Sequence, residues 1–104
     1  MAARKDGIKI LPPHVNKSGI TFTLDRELGA IRKGLVTVRN VGQVGAAELA
    51  ANAPYTSLTD MAERCAHNKV SGLKPFLLKH LDPADAGGQL AALAAAHALE
   101  GLQR

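Results

Sequence analysis

At 104 residues, 46% hydrophobic and 21% charged, the chain has one domain's length and ordinary globular usage, which excludes wholesale disorder. A single cysteine, Cys65, excludes an internal disulfide framework and a cysteine-based zinc finger, and no run approaches the ~18 apolar residues of a membrane span. The net charge of +4 is carried wholly by residues 1–52, with eight Lys/Arg against four Asp/Glu; residues 53–104 hold five of each, so the basic half suits a polyanionic partner.

Residues 1–19 contain Pro12-Pro13, Asn16, Ser18 and Gly19 with apolar pairs at Ile8/Ile10 and Leu11/Val15. They read as an extended arm that packs by those side chains rather than as a strand in a sheet centre. Over 20–33, Ile20-Thr21-Phe22-Thr23-Leu24 alternates at period two, the pattern of a half-buried strand. Ile31-Arg32-Lys33, after a turn at Asp25–Gly29, can pair with it as a short β-hairpin, which must lie on helices because two strands alone are not stable.

From Gly34 the period becomes helical. Leu35 and Val38 lead to a break at Arg39-Asn40-Val41-Gly42, and a second helix resumes at Val44 and closes at Asn52-Ala53-Pro54. Ser57 is placed to cap the next helix, with Asp60 three residues on and Leu58, Met61, Ala62 and Cys65 at helical spacing. A second break at His67-Asn68-Lys69-Val70 precedes a helix capped by Ser71. Its apolar face is Leu73, Leu77, Leu78 and Leu81, and Pro75 is tolerated in its first turn. Asp82-Pro83 ends it, and Gly87-Gly88 precedes a last helix through Leu90, Leu93, Ala94 and His97. Eighteen alanines favour closely packed helices. The expected fold is one mainly α domain: an arm (1–19), a β-hairpin (20–33), tandem helix-hairpin-helix units (34–52 and 55–81) and a C-terminal helix (85–102).

The first hairpin carries the chemistry. A helix, a small/Asn–apolar–Gly turn and a second helix with alanine four residues after the glycine is the pattern of a helix-hairpin-helix. Asn40 and Gly42 are the residues able to take positive φ, and Val41 pins the turn to the core. The amides of Gly42, Gln43, Val44 and Gly45 then open a helix with free N–H groups and a positive dipole end, which is an anion site; Gly45 allows close approach of a phosphate, and Ala46 allows the helices to touch. Arg32, Lys33 and Arg39 add charge beside it. At the second break Lys69 is the only fixed charge, with Ser71 following. No metal or cofactor site is expected, because the histidines (14, 67, 80, 97) lack ligand-like spacing, and His80 with Asp82 has no nucleophile to serve. Cys65 fits a buried helix face.

Ile10-Leu11-Pro12-Pro13-His14-Val15-Asn16-Lys17-Ser18 resembles a stretch following the fingers in the α subunit of bacterial DNA polymerase III. Phe22-Thr23, Ile31-Arg32-Lys33-Gly34-Leu35, Val38-Arg39-Asn40-Val41-Gly42, the block Pro54–Met61 with Arg64, Lys69-Val70-Ser71 and Leu90-Ala91-Ala92-Leu93 are similar to further blocks in the same order, spanning about residues 8–104. The resemblance implies a tandem helix-hairpin-helix fold that binds the duplex backbone without reading bases. Asn40 stands where that family usually has glycine, Val44 and Gly45 alter the start of the second helix, and Gly72 and Pro75 interrupt the usual basic helix. The catalytic palm is absent.

The expected function is therefore non-catalytic, sequence-independent binding of double-stranded DNA by a cytoplasmic, stand-alone protein, starting at Met1 as a complete small gene product, of phage or mobile-element origin. The alternative is a protein-interaction module that mimics part of the polymerase and engages a replisome or repair partner through apolar residues such as Leu90 and Leu93.

Overall fold

The computed structural model describes residues 9–103, within which lie four α-helices and one small sheet. The sheet comprises β1 (Lys9–Leu11), β2 (Thr23–Asp25) and β3 (Ala30–Arg32), in the order β1-β3-β2. β3 is central, antiparallel to β2 and parallel to β1. The arm thus supplies an edge strand as well as side chains; its first eight residues lie outside the described ones. The register aligns Ile10, Ile31 and Leu24 in one row, while Ala30 and Arg32, on the alternate face, are buried. The expectation of a half-buried strand over 20–24 needs correction. Phe22 and Leu24 are 55% and 62% exposed, and Thr21 and Thr23 on the alternate face are exposed too, because β2 is an edge strand with neither face covered there.

The Pro-Pro-His-Val-Asn segment is a clasp. Val15 is fully buried and its N–H donates to the Ala98 carbonyl at 2.9 Å. Asn16 acts as a short piece of backbone: Nδ2 donates to the Tyr55 carbonyl (2.8 Å) and Oδ1 accepts from the Tyr55 N–H (2.7 Å). The Ser18 hydroxyl donates to the Lys33 carbonyl at 2.7 Å, and the Arg32 guanidinium donates to the Pro12 carbonyl at 3.0 Å. One short segment therefore ties together the sheet, the start of the helices and the C-terminal tail.

After β3, Leu35–Thr37 makes one 3-10 turn rather than the longer helix suggested by Leu35 and Val38. It is held by Gly19 and Ile20, whose carbonyls accept the Leu35 and Val36 N–H groups. Helix α1 spans Gln43–Asn52, α2 Leu58–Arg64, α3 Leu73–Lys79 and α4 Gly88–Ala95. The Ser57 hydroxyl caps α2 by accepting the Asp60 N–H at 3.0 Å, as its spacing suggested. In α3 the buried face is Leu73 and Phe76, not Leu78, which is 68% exposed, and the helix ends at Lys79 before Leu81 is reached. Pro75 occupies the third helical position, where its missing N–H has no partner to lose.

Helix α4 is shorter than expected. It closes in a Schellman motif: His97 has positive φ, its N–H reaches the Ala94 carbonyl, and the Ala98 N–H reaches that of Leu93. The tail then returns to α2, where the Leu58 N–H donates to the Gln103 carbonyl at 2.6 Å. One core runs through the whole body, with Leu35, Leu49, Met61, Leu73, Leu90 and Leu93 fully buried. The architecture is mainly α, as the sequence implied.

Candidate nucleic-acid interface

The first hairpin turns between the 3-10 segment and α1. Val41 is buried and its N–H donates to the Val38 carbonyl at 3.0 Å, which pins the tip to the core. Asn40 has φ +71°, the left-handed conformation that its side chain tolerates. Gly42 does not: at φ −81° and ψ −178° it is ordinary extended backbone, so the sign expected for it was wrong and the reversal rests on Asn40 alone. Gly42 caps α1, and its carbonyl accepts the Ala46 N–H at 2.9 Å. Gly42, Gln43 and Val44 are exposed, and no carbonyl or side chain among the described residues accepts their N–H groups. The start of α1 thus presents a row of free donors at the positive end of a ten-residue helix.

Arg39 lies in this turn and Lys33 directly follows β3; both are exposed, and neither has an acidic partner within 4 Å among the described residues. Arg39 and Asn40 also form one wall of an open groove of about 690 Å³ whose other wall is α4 at Gly88, Ala91, Ala92, Ala95 and Ala96. Small side chains keep this groove free beside the cation.

Several residues expected at the interface lie elsewhere. Arg32 is 8% exposed and its guanidinium is bound to the Pro12 carbonyl, so it fastens the arm. Val41 is a packing residue. Gly45 is buried: a Cβ there would strike the Gln89 side chain and come within 3.1 Å of the Lys69 carbonyl, so its smallness admits the second hairpin and not a phosphate. Ser71 does not cap α3, whose cap is Gly72 at φ +97°; its hydroxyl accepts the Gln89 N–H at 2.8 Å and so caps α4 across space.

The second hairpin is built on the same plan, with its turn tied to neighbouring elements. Val70 is fully buried, as Val41 is, and its N–H donates to the Ala66 carbonyl. The Ala66 N–H is taken by the Glu48 carboxylate at 2.8 Å, and Glu48 also lies 3.8 Å from the Lys69 ammonium. The Lys69 carbonyl accepts from Gln89 Nε2 at 3.1 Å, and the Ser71 carbonyl from the Leu90 N–H at 3.0 Å. Sequence reasoning passed over Lys74. It is exposed at the second position of α3, as Val44 is at the second position of α1, and only its place two residues after Gly72 could have signalled it.

Around Tyr55 the polar groups are structural. Its hydroxyl donates to the Leu49 carbonyl (2.6 Å) and lies 3.1 Å from Cys65 Sγ, and burial raises the pKa of both groups. A thiol held protonated in that way is a poor nucleophile. The Arg64 guanidinium lies 5.3 Å from the Tyr55 ring centre and donates to the Pro54 and Asn52 carbonyls. Among the described residues no group of three His, Cys, Asp or Glu could hold a metal, and no helix is long and apolar enough to cross a membrane. Leu90 and Leu93 are fully buried, so the partner surface expected from them does not exist.

The chain is similar to error-prone DNA polymerases from Corynebacterium efficiens (40% identity over 62 residues), Corynebacterium glutamicum (42% over 62) and Corynebacterium diphtheriae (37% over 62). Each match covers 60% of this chain and only 6% of the polymerase. The polymerase likeness implied by the sequence blocks is thus matched by error-prone polymerases. Residues 7–90 match the family described as helix-hairpin-helix motif, and with four helices and two pinned hairpins the chain belongs to that family.

Proposed function

We propose that the chain binds duplex DNA through its phosphate backbone, without reading sequence and without catalysis, and that the first hairpin is the principal contact. The observation that supports this most is the coincidence at one turn of free Gly42–Val44 amides with the unpaired cation Arg39. Free amides at a helix start donate to a phosphate oxygen, and neighbouring cations raise the local anion concentration. The finer likeness to the α subunit of polymerase III, an origin in a phage or mobile element and a cytoplasmic location belong to this proposal. With Lys69 and Lys74 contributing from the second hairpin, about three to five phosphate contacts give weak binding, falling with salt at a log–log slope near −0.9 per contact.

Anisotropy titrations with two unrelated duplexes and a single strand, each at two salt concentrations, test this. Equal affinity for both duplexes and a steep salt dependence are expected. Strong preference for one sequence, or binding indifferent to salt, overturns it.

A second reading, engagement of a replisome or repair protein, is favoured by one observation. Ile10, Phe22, Leu24 and Leu28 are each about half exposed or more and lie on the sheet and its turn. Capture of a partner that survives Lys33→Glu/Arg39→Glu and is lost on Leu24→Asp supports it; capture unaffected by Leu24→Asp refutes it.

A further inference from the structure

Gln89, the second residue of α4, touches both hairpins at once. Its backbone N–H donates to the Ser71 hydroxyl at 2.8 Å, and its side-chain Nε2 donates to the Lys69 carbonyl at 3.1 Å. Its Oε1 is buried, accepts no hydrogen bond among the described residues, and occupies the space that a Cβ on Gly45 would need. The amide has only one workable orientation, because a carbonyl can accept only from Nε2, and this turns Oε1 toward α1. A buried oxygen without a donor costs free energy, so the contact is retained at the expense of local stability. The Gly45 Cα–H is the group it faces, a weak donor at best. One planar amide therefore fills the gap between the first turn of α1 and the tip of the second hairpin.

We propose that Gln89 is a positioning residue: it sets the spacing and tilt of the two hairpins so that both meet one duplex backbone together, a role that rests on the backbone-binding reading above. Phosphates along a strand are regularly spaced, and a site must hold its groups within about 0.5 Å of the productive geometry. No other residue side chain on α4 donates to the second hairpin's tip among the hydrogen bonds of the described residues. Gln89→Ala removes the wedge, and Gln89→Glu places a carboxylate against the Lys69 carbonyl. In both, the Ser71 cap remains, since it uses the backbone N–H.

The test is the salt dependence of duplex binding, measured well below the melting temperature, for wild type, Gln89→Ala and Gln89→Glu, each with and without Lys69→Ala/Lys74→Ala. The expected result is a slope shallower by about one to two contacts in either Gln89 variant, with no further loss on removing the two lysines. A residue that only stabilises the fold lowers the melting temperature, leaves the slope unchanged and leaves the lysine effect intact; that pattern overturns the inference. Amide residual dipolar couplings of α1 and α3 give a readout without DNA. Altered relative orientation of the two helices in Gln89→Glu supports the positioning role even if wild type binds no duplex, which would overturn the backbone reading alone. Unchanged couplings overturn the positioning role.

Discussion

The two hairpins share a plan and differ in what their polar groups touch. Each is pinned by a buried valine, Val41 or Val70, and each leads into a helix capped by glycine. In the first, the amides at the head of α1 and the Arg39 guanidinium meet no protein partner among the described residues. In the second, Glu48, Gln89 and the start of α4 take up the Ala66 amide, the Lys69 ammonium and the Lys69 and Ser71 carbonyls. The N–H groups of Ser71, Gly72, Leu73 and Lys74, like those of Gly42–Val44, meet no acceptor among the described residues, so the two hairpins differ in their turn cations: Arg39 is unpaired and Lys69 faces Glu48. The first hairpin is open at its turn cation; the second is mortised into the body at Lys69 and keeps the exposed Lys74 beside it.

This contrast can be broken first at the second hairpin. Gly72→Ala places a side chain at φ +97°, where it meets the Gly87 carbonyl and stands 2.8 Å from Leu90 Cβ. A loss of about 2–4 kcal/mol is expected, read by urea unfolding. Gly42→Ala, in extended backbone with nothing within 4 Å of its Cβ, is expected to change stability by only about 0.5 kcal/mol. Equal destabilisation by the two would erase the difference between them. Next, Val41→Ala and Val70→Ala should each cost about 1–3 kcal/mol, since both valines are buried in the same core.

Arg39→Ala separates charge from fold. Melting should be unchanged, duplex affinity should fall equally for all sequences, and the salt slope should lose about one contact. A variant that melts early would make Arg39 structural. The smallest effect concerns acid. The Thr56 N–H, and then the Arg64 guanidinium, hold the Asp60 carboxyl below its usual range. Folding therefore favours the carboxylate, and this stabilisation is complete above the ordinary Asp pKa and lost as the pH falls through the lowered one. Asp60→Asn should flatten the acid limb of stability and leave duplex binding at neutral pH untouched.

The fold was largely legible because its signals are local. Ser57 with Asp60, the Asn40-Val41-Gly42 turn and the helix stop at Asn52 each act within a few residues, and each appears in place. What escaped the sequence depends on contacts across the chain. Arg32 looked like a ligand for phosphate because nothing in its neighbourhood announces the Pro12 carbonyl, twenty residues away. Gly45 and Ser71 were misplaced for the same reason: the residue that claims them both, Gln89, lies on α4. Gly42 misled differently, since glycine permits positive φ without requiring it, and the adjacent Asn40 had already turned the chain. At Arg32, Gly45 and Ser71 the local pattern misled because packing consumes those residues.

The most direct measurement compares charge reversal at the two hairpins by duplex titration across a range of salt. Lys33→Glu/Arg39→Glu should abolish binding at moderate salt, and Lys69→Glu/Lys74→Glu should only weaken it, with part of the salt slope retained. Loss on reversing the second hairpin with the first pair dispensable, or no wild-type binding even at low salt, would contradict the assignment of the open hairpin as the phosphate-binding one.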